Sequence, residues 1–196
     1  LGANVSCDSE TLFQFAVMGS VMAETVEQFN CPKVALLNIG EESIKGNDVV
    51  RQTAELLRQT NKLNYIGFIE GHQIFSGRAE VIVCDGFVGN ITLKTTEGVA
   101  NLLISYLKQT ISKGWLRKLL SVLLTPLLKK SFQKMKPDQY NGASLLGLRG
   151  IVIKSHGNAD QHAFFNAIKQ AVIEVEQQVP IRIQDRLESV LLEKIC

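Results

Sequence analysis

The stretch that decides the fold is residues 33–48, which read KVALLNIGEESIKGND. Its first part, KVALLNI at 33–39, is mostly apolar and rich in strand-forming residues, which predicts a buried β-strand. The polar part that follows, GEESIKGND at 40–48, contains two glycines and predicts a loop. Asp48 is then expected to cap a helix. A buried strand that runs into a polar glycine loop and a helix is typical of α/β proteins.

Strands and helices are predicted to alternate along the rest of the chain as well. Ser9 is expected to cap the first helix, and Pro32 is expected to stop it. The predicted helices are 9–29, a helix from 48 through 57, 91–111, 160–178 and 182–195, and the further strands are 64–70, 80–84 and 151–154. This order predicts an α/β fold with a mainly parallel sheet.

Three polar loops that contain glycine follow predicted strands, at 40–48, 85–90 and 155–160. Ligands of parallel sheets bind at the carboxyl ends of the strands, so these loops are the candidate site. In the first loop, glycines allow a ligand to approach the backbone, and Lys45 offers a positive charge to a phosphate or an oxyanion. A solvated turn with a surface lysine is the alternative interpretation.

The other two loops also offer candidate residues. Asp85 can orient a lysine, and Asn90 is expected at a helix N-terminus, where backbone N–H groups favour anions. A tight turn in which Asn90 serves as a plain helix cap is the alternative. In the third loop, His156 can act as an acid, a base or an oxyanion donor, or it is a satisfied histidine in a turn. Cys84 ends a strand, but its apolar neighbours favour core packing over a nucleophilic role.

Residues 112–136 hold seven basic side chains and no acidic one. Leucines recur there at helical spacing, and an uncharged run of about ten residues is too short to span a bilayer, which needs ~20. An apolar face beside a cationic face predicts a helix in the interface of an anionic membrane, while a core-packed helix and a dimer contact are the alternatives. The residues predicted to bind the membrane are Trp115, Leu116, Leu119, Leu120, Leu123, Leu124, Leu127 and Leu128.

Composition narrows the class of protein further. The chain has 196 residues, of which 45% are hydrophobic, enough for one domain with at most a subdomain attached. The four cysteines form no CxxC pair and no zinc spacing, so free thiols in a reducing cytosol are expected. No signal peptide is recognised. Because residues 1–4 read as the end of a strand that enters a loop, an upstream part is expected.

An ordered set of motifs resembles the PlsX family of phosphate acyltransferases. The motifs are LGAN at 1–4, FAVMGS at 15–20, LLNIGEESIKGND at 36–48, GFIEG at 67–71, VCDGFVGNITLKTTEG at 83–98, SLLGLRG at 144–150 and SHGNAD at 155–160. Members of that family are longer and carry an additional N-terminal half. The resemblance implies a three-layer α/β/α fold related to phosphotransacetylases and isocitrate-type dehydrogenases.

The resemblance also implies a function, which is transfer of a fatty acyl group from acyl carrier protein to inorganic phosphate, early in phospholipid synthesis. It implies a homodimer attached peripherally to the inner face of the cytoplasmic membrane, at an anionic surface. No cofactor, metal or nucleic-acid partner is expected. A nicotinamide-dependent dehydrogenase of the related fold and a non-catalytic membrane-associated interaction module remain as alternatives.

With the resemblance, the three loops become the expected walls of the site. Lys45, Asp85 and His156 are the expected catalytic residues. The expected substrate contacts are Asn4, Glu42, Gly46, Asn47, Gly86, Gly89, Asn90, Gly157 and Asn158. Residues 1–111 are expected to form the α/β core, 112–140 an inserted amphipathic helical tip, and 141–196 the completion of the core.

Overall fold

The computed structural model describes residues 4–112, 142–155 and 160–193. Five α-helices and five strands lie within these ranges. The helices are α1 (Ser9–Thr25), α2 (Asp48–Gln59), α3 (Gly86–Ser112), α4 (Gln161–Glu176) and α5 (Val179–Glu193), with one short 3-10 helix (Gly71–Gln73). The strands are β1 (Lys33–Asn38), β2 (Asn64–Glu70), β3 (Val81–Val83), β4 (Ala143–Ser144) and β5 (Ile153–Lys154). The predicted α/β class is confirmed.

The main sheet has three strands in the order β2-β1-β3, and both pairings are parallel. Leu36 in the centre of β1 lies opposite Phe68 of β2 and Val83 of β3. The strands therefore all end at one edge of the sheet, which we call the carboxyl edge. The mainly parallel sheet is thus confirmed, and it is consistent with the expected three-layer arrangement.

The core forms where α1 and α2 cover one face of the sheet. Val34 and Leu36 of β1 point into it together with Phe13 of α1, and all three are fully buried. α1 approaches the sheet closely at Gly19, because a Cβ atom at this position would lie 2.8 Å from Cγ1 of Val81. The prediction that α1 is buried between other elements is confirmed, and it explains why the helix is apolar on most sides.

α1 also packs against α5. Met18 and Val21 of α1 form a second buried cluster with Val179 and Ile183 of α5. Beside this cluster, Nη2 of Arg186 donates to Oε2 of Glu24 at 2.7 Å, and both side chains are about 70% buried. The C-terminal helix is therefore attached to the first helix by apolar contacts and by a partly buried ion pair.

Two predicted boundaries of α1 are wrong. The N-cap is Asp8 and not Ser9, because the Asp8 carboxylate accepts the N–H of Thr11 at 2.8 Å. The helix ends at Thr25, well before Phe29. Val26 is the C-cap, and Gln28 two residues further on adopts a left-handed backbone conformation with φ of 59°.

The strand predicted at 151–154 is shorter in the structure. Only β5 (Ile153–Lys154) forms there, and it pairs with β4 in a separate two-stranded sheet. The third predicted loop therefore follows a strand that lies outside the three-stranded sheet. His156, Gly157 and Asn158 lie outside the described residues, so their roles stay predictions.

The chain divides into two compact units. The first comprises Leu1–Asn90, Ser144–Val152 and Ala171–Cys196, and the second comprises Ile91–Ala143 and Ile153–Gln170. The three-stranded sheet belongs to the first unit. The predicted tip at 112–140, with Trp115 and its leucines, falls almost entirely outside the described residues and stays a prediction. No helix in the described part of the chain has the length and apolar character needed to cross a membrane.

Burial along β1 predicts that truncation of two apolar side chains, three residues apart, has very different effects on stability. Leu36 is fully buried, whereas Ile39, just after the strand, is 80% exposed. We expect Leu36→Ala to lower the free energy of unfolding by about 2–5 kcal/mol, since it removes core contacts and leaves a cavity. Ile39→Ala is the matched control and should change it by less than about 0.5 kcal/mol. Urea unfolding of both variants measures this, and equal losses would contradict the assigned core.

Candidate functional site

The connection between β1 and α2 (residues 39–47, the β1–α2 loop) starts at the carboxyl edge. A turn forms in it, because the N–H of Lys45 donates to the carbonyl of Glu42 at 3.0 Å. A Cβ atom built on Gly40 would lie 2.7 Å from Oε2 of Glu42 and 2.9 Å from Cγ of Lys45. Glycine at position 40 therefore lets both side chains fold over the backbone, and both residues remain exposed.

The last residue of β1 fixes the position of Lys45. The Asn38 side chain is 8% exposed, and its Nδ2 donates to the carbonyl of Lys45 at 3.2 Å. The next residue, Gly46, has φ of 90°, and a Cβ atom there would lie 2.3 Å from Oδ1 of Asn38. The strand end and the turn thus interlock, and only glycine fits at position 46 without displacing the asparagine.

The far end of the loop is attached to α2. Nη1 of Arg51 donates to the carbonyl of Ile44 at 3.3 Å. Asn47, and not Asp48 as predicted, is the N-cap, since its Oδ1 accepts the N–H of Val50 at 2.9 Å. Asp48 instead forms an ion pair with Arg51. The cap uses one of the two acceptor positions of the Asn47 side-chain oxygen, and the substrate contact predicted at this residue stays a prediction.

A second connection, between β2 and β3 (residues 71–80, the β2–β3 connection), holds the loop from the other side. Oε1 of Glu41 accepts from Nη1 of Arg78 at 2.5 Å and from Nε2 of Gln73 at 2.6 Å. The amide oxygen of Gln73 accepts the N–H of Glu70 at 2.9 Å. Hydrogen bonds from Arg78 and Gln73 lower the pKa of Glu41, so its carboxyl group stays ionised.

Gln73 and Arg78 belong to this arrangement, although no sequence pattern predicted either residue. The parallel register places Asn38 beside Glu70, so the segments that follow β1 and β2 start next to each other. Two adjacent parallel strands followed by polar loops were the available signal. Which polar side chains meet across the edge cannot be deduced from that signal, because each loop has several candidates.

The residues that follow β3 differ from the prediction. Residues 85–90 were expected to form a turn before a helix that begins near Ile91. Instead α3 begins at Gly86, because Oδ1 of Asp85 accepts the N–H of Val88 at 2.7 Å and serves as the cap. Asn90 therefore lies inside the helix with an exposed side chain, and it is neither a cap nor part of a turn.

The N-terminus of α3 is also closed by the start of the chain. The N–H of Gly86 donates to the carbonyl of Asn4 at 2.8 Å, and that of Phe87 to the carbonyl of Val5 at 3.3 Å. The N–H groups of Val88 and Gly89 both donate to Asp85. The first four N–H groups of the helix are therefore occupied, which contradicts the expectation that N–H groups near Asn90 hold an anion.

Lys45 and Asp85 follow neighbouring strands of the sheet, β1 and β3. In the part of the chain that the structure describes, no ion pair joins their side chains, and Asp85 acts as the helix cap. Orientation of Lys45 by Asp85 stays a prediction. Gly86 and Gly89 likewise stay predicted substrate contacts, with N–H groups that already have protein acceptors.

The thiols near Asp85 are not poised as nucleophiles. Burial raises the pKa of the Cys84 thiol, and burial together with the Asp85 charge raises that of Cys7. A cysteine nucleophile requires the thiolate, which both effects disfavour. This supports the interpretation of Cys84 as a core residue. Among residues 4–112, 142–155 and 160–193, no group of three or more His, Cys, Asp or Glu side chains is arranged to bind a metal ion.

The interlock of Gly46 with Asn38 predicts that substitution of two glycines by alanine lowers the free energy of unfolding by different amounts. Gly46 and Gly77 both have positive φ, at 90° and 73°, but a Cβ atom on Gly77 would meet nothing within 4 Å. Gly77→Ala should therefore report the backbone strain alone, about 1–2 kcal/mol in the free energy of unfolding. Gly46→Ala should lose more, because it also displaces the Asn38 amide. Equal losses in denaturant unfolding would show that the interlock contributes nothing.

The sequence was also compared with protein families and with curated proteins. The family described as fatty acid synthesis protein matches residues 1–182. Proteins named phosphate acyltransferase from Shewanella sp. (strain W3-18-1) and from Shewanella pealeana are each 61% identical over 193 residues. A third, from Shewanella baltica, is 60% identical over the same length.

In each of these comparisons the matched region covers 98% of this chain and 56% of the relative. The chain thus spans about half the length of the curated relatives that it matches. The family match covers the β1–α2 loop, the β2–β3 connection and the start of α3, so it includes the segments that leave the carboxyl edge. On these grounds the chain belongs to the fatty acid synthesis protein family, and it is similar throughout to proteins named phosphate acyltransferase.

Proposed function

We propose that the protein takes part in transferring a fatty acyl group from acyl carrier protein to inorganic phosphate, which yields acyl phosphate for phospholipid synthesis. Family membership and the name of the relatives support this reaction. The observation that carries the proposal is the β1–α2 loop. It presents the exposed Lys45 at the carboxyl edge of a parallel sheet. Asn38 and Arg51 hold the backbone of this loop, and its Glu41 side chain is bound by Arg78.

The chemistry requires placement of the reactants more than activation of a nucleophile. Phosphate is already an anion at neutral pH, and one of its oxygens forms a bond to the thioester carbonyl carbon. The carbon–sulfur bond then breaks, and the carrier's thiolate leaves and takes up a proton from solvent. Holding the two reactants together supplies most of the rate gain, and no covalent enzyme intermediate is needed.

Lys45 is the proposed phosphate ligand. Its ammonium group offsets the phosphate charge, and the same charge stabilises an oxyanion that develops on the carbonyl oxygen. His156 is the other candidate for the oxyanion donor, and Asp85 is proposed to orient Lys45 once substrate is bound. A fixed backbone around Lys45 favours this role, because a preorganised charge needs little rearrangement during the reaction.

Acyl carrier protein, a homodimeric state and peripheral attachment to the cytoplasmic face of the membrane complete the proposal. Support for the membrane attachment comes from the second half of α3, which exposes the large apolar side chains Val99, Leu102, Leu103 and Tyr106 ahead of the basic 112–136 segment.

Flotation with anionic and with neutral vesicles tests the membrane attachment, and the protein is expected to bind the anionic vesicles. Equal behaviour with both would contradict a charge-dependent membrane contact.

The reaction is tested by measuring acyl phosphate formed from acyl carrier protein loaded with a fatty acid and from inorganic phosphate. The assay uses this chain and a form extended to the full length of its relatives. Product from either supports the proposal, and product from the longer form alone assigns part of the site to the added segment. No product from either would overturn the acyltransferase function.

In the active form, we expect Lys45→Ala to raise the KM for phosphate and to lower kcat, with kcat/KM falling about 100-fold or more, as for loss of an oxyanion donor. Lys33→Ala is the matched control, because Lys33 is also exposed but lies at the amino end of β1. It should leave both constants unchanged. Steady-state kinetics with phosphate varied measures this, and unchanged constants for Lys45→Ala would remove Lys45 from the site.

A further inference from the structure

We propose that Arg78 is a positioning residue of the phosphate site. From the β2–β3 connection, it pairs with the Glu41 carboxylate, neutralises its charge and fixes its position. This inference rests on the proposed function, because it concerns the affinity of the same loop for phosphate. It starts from a conflict of charges. The loop that presents Lys45 also carries two consecutive carboxylates, Glu41 and Glu42. Two negative charges beside one positive charge oppose the binding of an anion.

One of the two carboxylates, that of Glu41, is neutralised by contacts from outside the loop. Arg78 donates to Oε1 of Glu41 at 2.5 Å, and the Gln73 amide donates to the same oxygen at 2.6 Å. Gln73 is itself fixed, since its carbonyl oxygen accepts the N–H of Glu70 at the end of β2. One carboxylate of the loop thus has a full positive charge and a second donor, both supplied by a different segment of the chain.

The ion pair is not explained as a source of fold stability. The Arg78 and Glu41 side chains are 47% and 46% exposed, and pairs this accessible to water contribute little to folding. The effect of the Arg78 charge on a nearby anion does not depend on that contribution. Without the Arg78 charge, Glu41 would keep only the neutral Gln73 donor, and its negative charge would repel an incoming phosphate dianion.

This role predicts which kinetic constant responds. A change in charge beside the proposed phosphate site alters phosphate binding, and we expect the much larger acyl carrier substrate to depend less on this one charge. Arg78→Ala is therefore expected to raise the KM for phosphate about fivefold, as surface charges several ångströms apart would produce. The kcat and the KM for the acylated carrier should stay within about twofold. Arg78→Lys keeps the charge and should retain most of the phosphate affinity.

Two further variants separate charge from structure. In Glu41→Gln/Arg78→Ala, the uncompensated carboxylate is gone, so the KM for phosphate should return toward the wild-type value. Lys33→Ala is the matched control for loss of a positive charge, because Lys33 is also exposed but lies at the amino end of β1. It should leave the KM for phosphate unchanged.

The experiment is steady-state kinetics of acyl phosphate formation with phosphate varied, using the chain in its active form. If the wild type is active and Arg78→Ala has an unchanged KM for phosphate, this inference is overturned and the proposed function stands. A double variant as impaired as Arg78→Ala would also overturn it, since only a structural role would then remain. Failure of the wild type to form acyl phosphate in either length would overturn the proposed function, and this inference with it.

Discussion

The parallel pairing of β1 with both of its neighbours is the constraint on which the rest of the structure depends. Its register places Asn38 beside Glu70, and it sets Leu36 opposite Val83 close to the end of β3. The segments that leave the three strands therefore start at one edge. Burial of Val34 and Leu36 under α1 and α2 supports this register, because a shift by one residue would replace these two side chains in the core by Ala35 and Leu37.

Once the edge is fixed, the β1–α2 loop is determined by contacts from three directions. Asn38 holds it from the strand, Arg51 from the helix that follows, and Glu41 joins it to the β2–β3 connection. Each contact involves the backbone or a charge of the loop and leaves the end of the Lys45 side chain exposed. A cation on a fixed backbone is suited to an anionic substrate, which is why the loop, and not the N-terminus of α3, carries the proposed phosphate site.

Much of this could be predicted from local sequence, since strand β2 has the predicted bounds 64–70 and the glycine loop follows β1 as expected. The start of α3 could not be predicted, because DGFVGN has the composition of a turn. It becomes helical through a cap at Asp85 and through acceptors on Asn4 and Val5, about 80 residues away. Arg78 was missed for a related reason, because it lies 37 residues from Glu41 in a polar segment without periodicity.

The central claim is that phosphate binds at the β1–α2 loop. Titration of the ¹⁵N-labelled protein with inorganic phosphate, followed through backbone amide shifts, tests it most directly. The account predicts saturable shifts at Lys45 and Gly46 that disappear in Lys45→Ala. Shifts confined to a different cavity, which is lined by Glu24, Arg182 and Arg186, or no saturable shift in the loop at any concentration, would contradict it.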